Sequence, residues 1–308
     1  MTTLRLFTVL GCLVAGLTAT HAQSLLTRNS ATTPTDPETA VSSPRKLKAT
    51  ESPVYVKVYG FYGLLTPGSQ ITSSSTSNSS GSTSTSFKTN KRGLGAGPRT
   101  GIGIGLIISD FINLGIDADM LFGAPISTAN SYKGTNYTYN NTSSTTLRVL
   151  SITPNITFKA LSRPAYYIYN RLGVVVGKVM DYKGVQDSEN IPAAGASTIS
   201  NTTEEYTKNT LALGYQAALG IQFRLSQSLR GFVEVVAYNQ SFKPRELHNV
   251  SVSTRNGGIM NQSSYYVEYK DQGEYTTTNR DGDEVYQGPS YNVAMNSVGV
   301  GAGIVFRF

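Results

Sequence analysis

The chain has 308 residues, a formal net charge of +7, one cysteine (Cys12), two histidines and no tryptophan. That inventory excludes a disulfide framework and a Cys/His metal cluster. Past the N-terminal segment, no apolar run approaches the ~20 residues of a membrane-spanning helix.

The first element is a predicted signal peptide over 1–22. Arg5 supplies the cation, Leu6 to Ala19 is largely apolar, and Thr20-His21-Ala22 offers a small-x-small cleavage site. Val9-Leu10-Gly11-Cys12 loosely resembles a lipoprotein site, but Leu10 is bulky where a small residue is usual and the apolar run continues past Cys12. Loss of Arg5, Cys12 and His21 leaves a mature charge of +6, no cysteine, and His248 as the one histidine. Residues 23–52 are rich in Ser, Thr and Pro and carry Arg45, Lys46 and Lys48. They read as a disordered periplasmic tether, leaving 53–308 as the folded domain.

The domain is a succession of segments with the period of two that half-buried strands require. The first, 53–65, sets Val54, Val56, Val58, Tyr62 and Leu64 against Tyr55, Lys57, Tyr59 and Phe61. The second, 95–108, opposes Ile102, Ile104, Leu106 and Ile108 to Arg99, Gly101, Gly103 and Gly105. The third, 112–123, opposes Leu114, Ile116 and Phe122 to Asp117 and Asp119. In the fourth, 146–159, Pro154 removes one ladder donor, so a bulge or missing bond is expected. The fifth, 165–177, turns Leu172 and Val174 one way and Tyr167, Tyr169 and Arg171 the other. The sixth, 209–225, places Leu219 and Ile221 against Gln216, Gln222 and Arg224. The seventh, 229–239, opposes Val233 and Val235 to Phe232 and Glu234, and the eighth, 291–308, ends on Ile304, Phe306 and Phe308 with Arg307 on the other face.

The connections alternate in length. Ser109–Phe111, Arg163–Pro164 and Ser226–Ser228 are short, while 66–94, 124–145, 178–208 and 240–290 are long and polar. Short periplasmic turns and long outer loops are the sorting of an outer-membrane barrel, and the predicted fold is an all-β, antiparallel up-and-down transmembrane β-barrel of eight strands with long extracellular loops. Within the loops, Thr72 to Ser86 reads as a flexible tip. Two stretches, 247–254 and 264–270, flank Asn256-Gly257-Gly258 and are expected to extend strands seven and eight as a hairpin.

The run Gly101-Ile102-Gly103-Ile104-Gly105-Leu106, the turn into Leu114-Gly115-Ile116-Asp117, and the terminal Gly303-Ile304-Val305-Phe306-Arg307-Phe308 resemble the eight-stranded OmpA- and OmpX-type outer-membrane domains, in the form common in Bacteroidetes-like bacteria. The resemblance implies outer-membrane localisation and a C-terminal signal of Ile304, Phe306 and Phe308 that the barrel assembly machinery reads. Nothing follows Phe308, so the peptidoglycan-binding domain of full-length OmpA is not expected.

Candidate chemistry is sparse. The inward charges Lys57, Arg99, Asp117, Asp119, Arg171, Arg224, Glu234 and Arg307 share the predicted lumen, with two cations in excess. In so narrow a barrel they form either a paired plug or a gated ion path. Lys88, Lys91, Arg92, Arg148, Lys178, Lys243 and Arg245 lie at predicted outer strand ends, as a solvated rim or a site for the phosphates of lipopolysaccharide. Despite a pI near 9.3, no basic helix or nucleic-acid module is present, so nucleic acid is not an expected partner. No cofactor is expected. Catalysis would rest on His248 beside Glu246 and Ser251, and an isolated loop histidine is a weak basis for it. The expectation is a non-enzymatic barrel with an envelope-structural and surface-interaction role; the alternatives are a narrow solute or ion channel and a lipid-modifying enzyme.

Overall fold

A strand with one apolar face leaves its own edges unpaired, and ring closure removes them. The computed structural model describes residues 53–66, 70–77, 83–90 and 93–308. The signal peptide, the tether, Lys91 and Arg92 lie outside the described residues.

The described strands are β1 (Val54–Leu65), β2 (Gln70–Ser77), β3 (Thr83–Asn90), β4 (Gly97–Ile107), β5 (Ile112–Phe122), β6 (Ile126–Lys133), β7 (Tyr137–Ser162), β8 (Tyr166–Pro192), β9 (Thr198–Asn209), β10 (Ala212–Arg224), β11 (Leu229–Phe242), β12 (Pro244–Arg255), β13 (Gly258–Lys270), β14 (Thr277–Arg280), β15 (Asp283–Pro289), β16 (Val293–Ala294) and β17 (Ser297–Arg307). They join in one sheet of 17 strands, not eight.

Part of that sheet is a ring. From β1 the antiparallel ladder runs through β4, β5, β7, β8, β10, β11 and β17 and returns to β1. Its stagger shows in the register. Rungs starting at Tyr55 pass through Gly105, Gly115, Asn155, Gly173, Gln216 and Tyr238 to Ser297, which lies beside the Leu65–Val298 pair at the far end of β1. Such an offset is the tilt a closed barrel requires.

Apolar side chains on the outer surface are exposed in a broad band, among them Val58, Ile104, Ile116, Ile152, Val174, Leu219, Val235 and Val300. The ring's interior holds Tyr55, Lys57, Arg99, Asp117, Arg171 and Glu234, all buried. Two of the short turns share one device. Ser109 Oγ accepts from the amide of Ile112 at 3.1 Å, and Ser226 Oγ accepts from that of Leu229 at 3.1 Å.

The rest of the sheet continues beyond the ring at the end opposite these turns. β7 and β8 extend well past their predicted limits, pairing from Ser162–Tyr167 up to Tyr137–Pro192. On them is built a wall in the order β3–β2–β6–β7–β8–β9–β12–β13–β15–β14. The long gaps are therefore largely strand. Residues 72–77 and 83–86 of the predicted tip pair across β2 and β3, with Ser75 and Thr85 hydroxyls 3.1 Å apart, while 78–82 lie outside the described residues. Ser and Thr ladders of this kind hold strands without apolar alternation.

Pro154 leaves itself and Thr153 out of the β7–β8 ladder without shifting the register, a missing bond rather than a bulge. The β12–β13 hairpin forms as expected around Asn256 (φ 51°) and Gly257 (φ 76°), the pair of positive angles a two-residue type I′ turn demands. β12 continues from β11, but β13 does not lead into β17. It pairs in parallel with β15 instead, and β17 begins only at Ser297.

Candidate functional site

The lumen charges are positioned by strand alternation. Lys57 comes from β1, Arg99 from β4, Asp117 and Asp119 from β5, Arg171 from β8 and Glu234 from β11. Lys57 Nζ reaches Asp117 Oδ2 at 2.7 Å, and Arg171 Nη1 meets the same oxygen at 2.9 Å. Arg171 Nη2 pairs with Glu234 Oε1 at 2.5 Å, and the Tyr169 hydroxyl donates to Glu234 Oε2 at 2.8 Å. One layer nearer the wall, Arg99 Nη1 pairs with Asp119 Oδ1 at 2.9 Å and donates through Nη2 to Gln240 at 3.3 Å. Arg99 also lies 4.2 Å from the centre of the Tyr238 ring. With its amide turned to match its neighbours, Gln216 donates to the Tyr238 hydroxyl at 2.9 Å and accepts from Arg171 at 3.2 Å.

All six charged residues are 6% exposed or less. Three cations face three anions across the two layers, so the paired network is neutral. The two further arginines of the predicted set lie toward the turns, outside these pairs, and Arg307 there borders the cavity below them. Arg224 is exposed and donates to the carbonyl of Ser226 at the turn, and Arg307 is half-buried beside Tyr167 at the same end. Alternation fixes which way a side chain points, not how deep it sits.

Glycines make the room. A Cβ at Gly103 would stand 2.6 Å from Lys57 Cε, and one at Gly220 would stand 2.6 Å from the Tyr169 hydroxyl. Below the network is a cavity of about 30 Å³ bordered by Tyr55, Lys57, Asn113, Thr157, Arg171 and Gln222, large enough for a water or two. Above it, toward the wall, Leu121, Leu147, Val149, Phe242, Val293 and Met295 form a buried apolar plug. The plug and the uncharged partners Gln216, Gln240, Tyr169 and Tyr238 were absent from the sequence-derived site. Val293 and Met295 come from the long segment before the last strand, whose inward turn no local pattern marks.

The other predicted sites separate. Ile304, Phe306 and Phe308 are exposed on the outer surface at the end of β17, which closes the ring between β1 and β11. Of the rim cations, Arg148 and Lys178 are exposed on the outer face of β7 and β8, and Lys88 is exposed on β3. Lys243 and Arg245 instead hold Asp271 at 2.7 and 2.9 Å, so these two are engaged in a loop-anchoring cluster. His248 contacts neither Glu246 nor Ser251 as a unit. It stacks on Tyr266 at 4.3 Å, and its Nε2 lies 3.0 Å from Ser264 Oγ, which donates to Asp283 at 3.1 Å. The carboxylate thus holds the serine rather than the imidazole, the reverse of what orients a general base.

No family model matches the chain, and no curated protein does. Among solved structures it is similar to the outer membrane protein OprG from Pseudomonas aeruginosa, at 10% identity and TM-score 0.37, over 84% of this chain and 97% of that one. The outer membrane protease OmpT from Escherichia coli matches at 10% identity and TM-score 0.29, covering 83% and 94%. The toluene transporter TbuX from Ralstonia pickettii matches at 9% identity and TM-score 0.23, covering 83% and 89%. Superpositions this loose carry no weight for fold or activity, which rest on the strand ladder and the site itself.

Proposed function

We propose that this protein is an integral outer-membrane β-barrel, exported by its signal peptide, with an envelope-structural and surface-interaction role and no enzymatic activity. The eight strands of the ring are the membrane-spanning ones, the short turns face the periplasm, and the wall stands outside. The observation that carries the reading is the inversion of the ring. Its outer surface is aliphatic and exposed while its interior is charged and buried, the arrangement a lipid solvent requires and water does not. The neutral ion network beneath a buried apolar plug favours a sealed lumen over a channel. The rim at Arg148 and Lys178 suits lipopolysaccharide phosphates, and the exposed Ile304, Phe306 and Phe308 suit recognition by the assembly machinery.

Single cysteines test the threading. Asn261→Cys near the β12–β13 tip should react with an impermeant maleimide on intact cells. Gln227→Cys in a short turn should react only once the outer membrane is breached. Labelling of Asn261→Cys only after permeabilisation would put that hairpin in the periplasm and require ten membrane strands.

A further inference from the structure

The inner face of the wall carries an unmatched negative charge among aromatic rings. One rung crosses five strands: Gly184 on β8 opposes Glu204 on β9, which opposes Asn249 on β12, then Tyr265 on β13 and Glu284 on β15. Residues directly opposite share a face. The adjoining rung toward the ring brings Leu247, Val267 and Tyr286 into line. Beside them Tyr182 and Tyr206 stack at 4.0 Å, and Tyr182 meets Phe242 of the apolar plug edge-on at 5.5 Å, which identifies this face as the continuation of the lumen side.

Tyr291 closes the opposite side. Its hydroxyl is 3.3 Å from that of Tyr206, and its ring meets Tyr269 at 5.3 Å. Neither rung contains Lys, Arg or His. Three of the wall's cations lie on the other face, where Lys183 engages Glu205, and Lys208 and Arg280 engage Glu246, while Arg255 shares the inner face three two-residue steps farther out. Among the described residues no cation pairs with Glu204, whose carboxylate lies over Gly184, 3.1 Å from where a Cβ would be.

We infer that Glu204, with Tyr182, Tyr206, Tyr265 and Tyr291, forms an extracellular binding site for an organic ammonium ion. A carboxylate framed by aromatic rings is the recognition chemistry of alkylated ammonium groups, combining ion pairing with cation–π attraction. The hydroxyls of a sugar would donate to the carboxylate but leave its charge without a counter-ion, which an ammonium supplies. A metal ion is ill served, because Glu284 stands three strand spacings from Glu204, roughly 14 Å, too far to share one ion. Tyr265 stands two spacings away, roughly 10 Å, with the buried Asn249 on the strand between them as a polar neighbour of the carboxylate.

The inference concerns the role of the wall in the proposed surface interaction. Its test is a direct binding measurement on refolded full-length protein in an uncharged detergent, so it succeeds or fails independently of which way the barrel is threaded. Choline, its uncharged carbon isostere 3,3-dimethylbutan-1-ol, and glucose are titrated calorimetrically into wild-type protein and Glu204→Gln. Saturable choline binding is expected, with the isostere and glucose weaker by about tenfold or more and Glu204→Gln losing about tenfold for choline. Heat-modifiable migration identical to wild type shows that the variant is folded. Equal affinity for the isostere, tighter binding of glucose, unchanged choline binding in folded Glu204→Gln, or no choline binding at tens of millimolar each overturns the inference. The choline-to-isostere comparison needs no variant, so a folding failure of Glu204→Gln would not shelter it.

Discussion

The lumen and the wall both hold carboxylates between basic side chains at nearly the same distances, yet the two networks obey different energetics. Arg171 spans Asp117 and Glu234 at 2.9 and 2.5 Å with every partner buried. On the wall, Glu246 accepts from Lys208 at 2.8 Å and Arg280 at 3.0 Å, but those partners are 65% and 35% exposed. A cation in the lumen has no water to turn to when its partner is removed, whereas Lys208 has. Distance alone does not rank an ion pair; access to solvent does.

The largest expected effect follows in the lumen. Glu234→Ala leaves Arg171 shared with Asp117 alone and removes the acceptor of Tyr169, and should destabilise the barrel by about 3–5 kcal/mol in urea unfolding from micelles. A loss below about 1 kcal/mol would mean that the site is hydrated and that the contrast with the wall is false. The comparison sharpens with Arg99 and Asp119. Arg99→Met alone strands a buried carboxylate, and adding Asp119→Leu should recover most of the lost stability, because a buried pair replaced as a unit costs little. A double variant worse than the sum of the singles would contradict this.

How far the sequence reveals these networks depends on pattern. Alternation in the ring strands identifies Lys57, Asp117, Arg171 and Glu234 as inward, since a period of two assigns faces unambiguously. It gives no level for Arg224 and Arg307, which lie near the turns, because depth along a tilted strand leaves no trace in the period. It misses most of the wall because strands such as Thr83–Asn90 and Thr198–Asn209 are polar on both faces and held by Ser/Thr contacts, as between Ser200 and Ser253 at 2.6 Å. The Asn256-Gly257 turn is the exception, since its residue types specify its backbone.

On the wall the effects should be small. Lys208→Gln should change stability by no more than about 1 kcal/mol, and less at high salt. The response to pH is more telling. Burial pushes the Glu246 carboxyl up, but hydrogen bonds from Lys208, Thr207 and Arg280 outweigh it and hold the pKa at about 2, below the ordinary 4.5. A carboxylate with a lowered folded pKa contributes stability that is complete above pH 4.5 and is lost as pH falls toward 2. Hydrogen exchange in β9 and β12 should therefore accelerate between pH 5 and pH 2 after correction for the intrinsic rate, and Glu246→Gln should remove that acceleration. An identical acceleration in the variant would assign the response to another group.

The central claim is that a neutral network of six paired charges beneath an apolar plug seals this lumen, and single-channel recording in planar bilayers tests it most directly. Refolded wild-type protein should insert without unitary conductance in 1 M KCl, while Glu234→Ala with Leu121→Gly, which opens both the ion network and the apolar plug, should conduct if it folds. Steady, reproducible unitary steps from the wild-type protein would contradict the account.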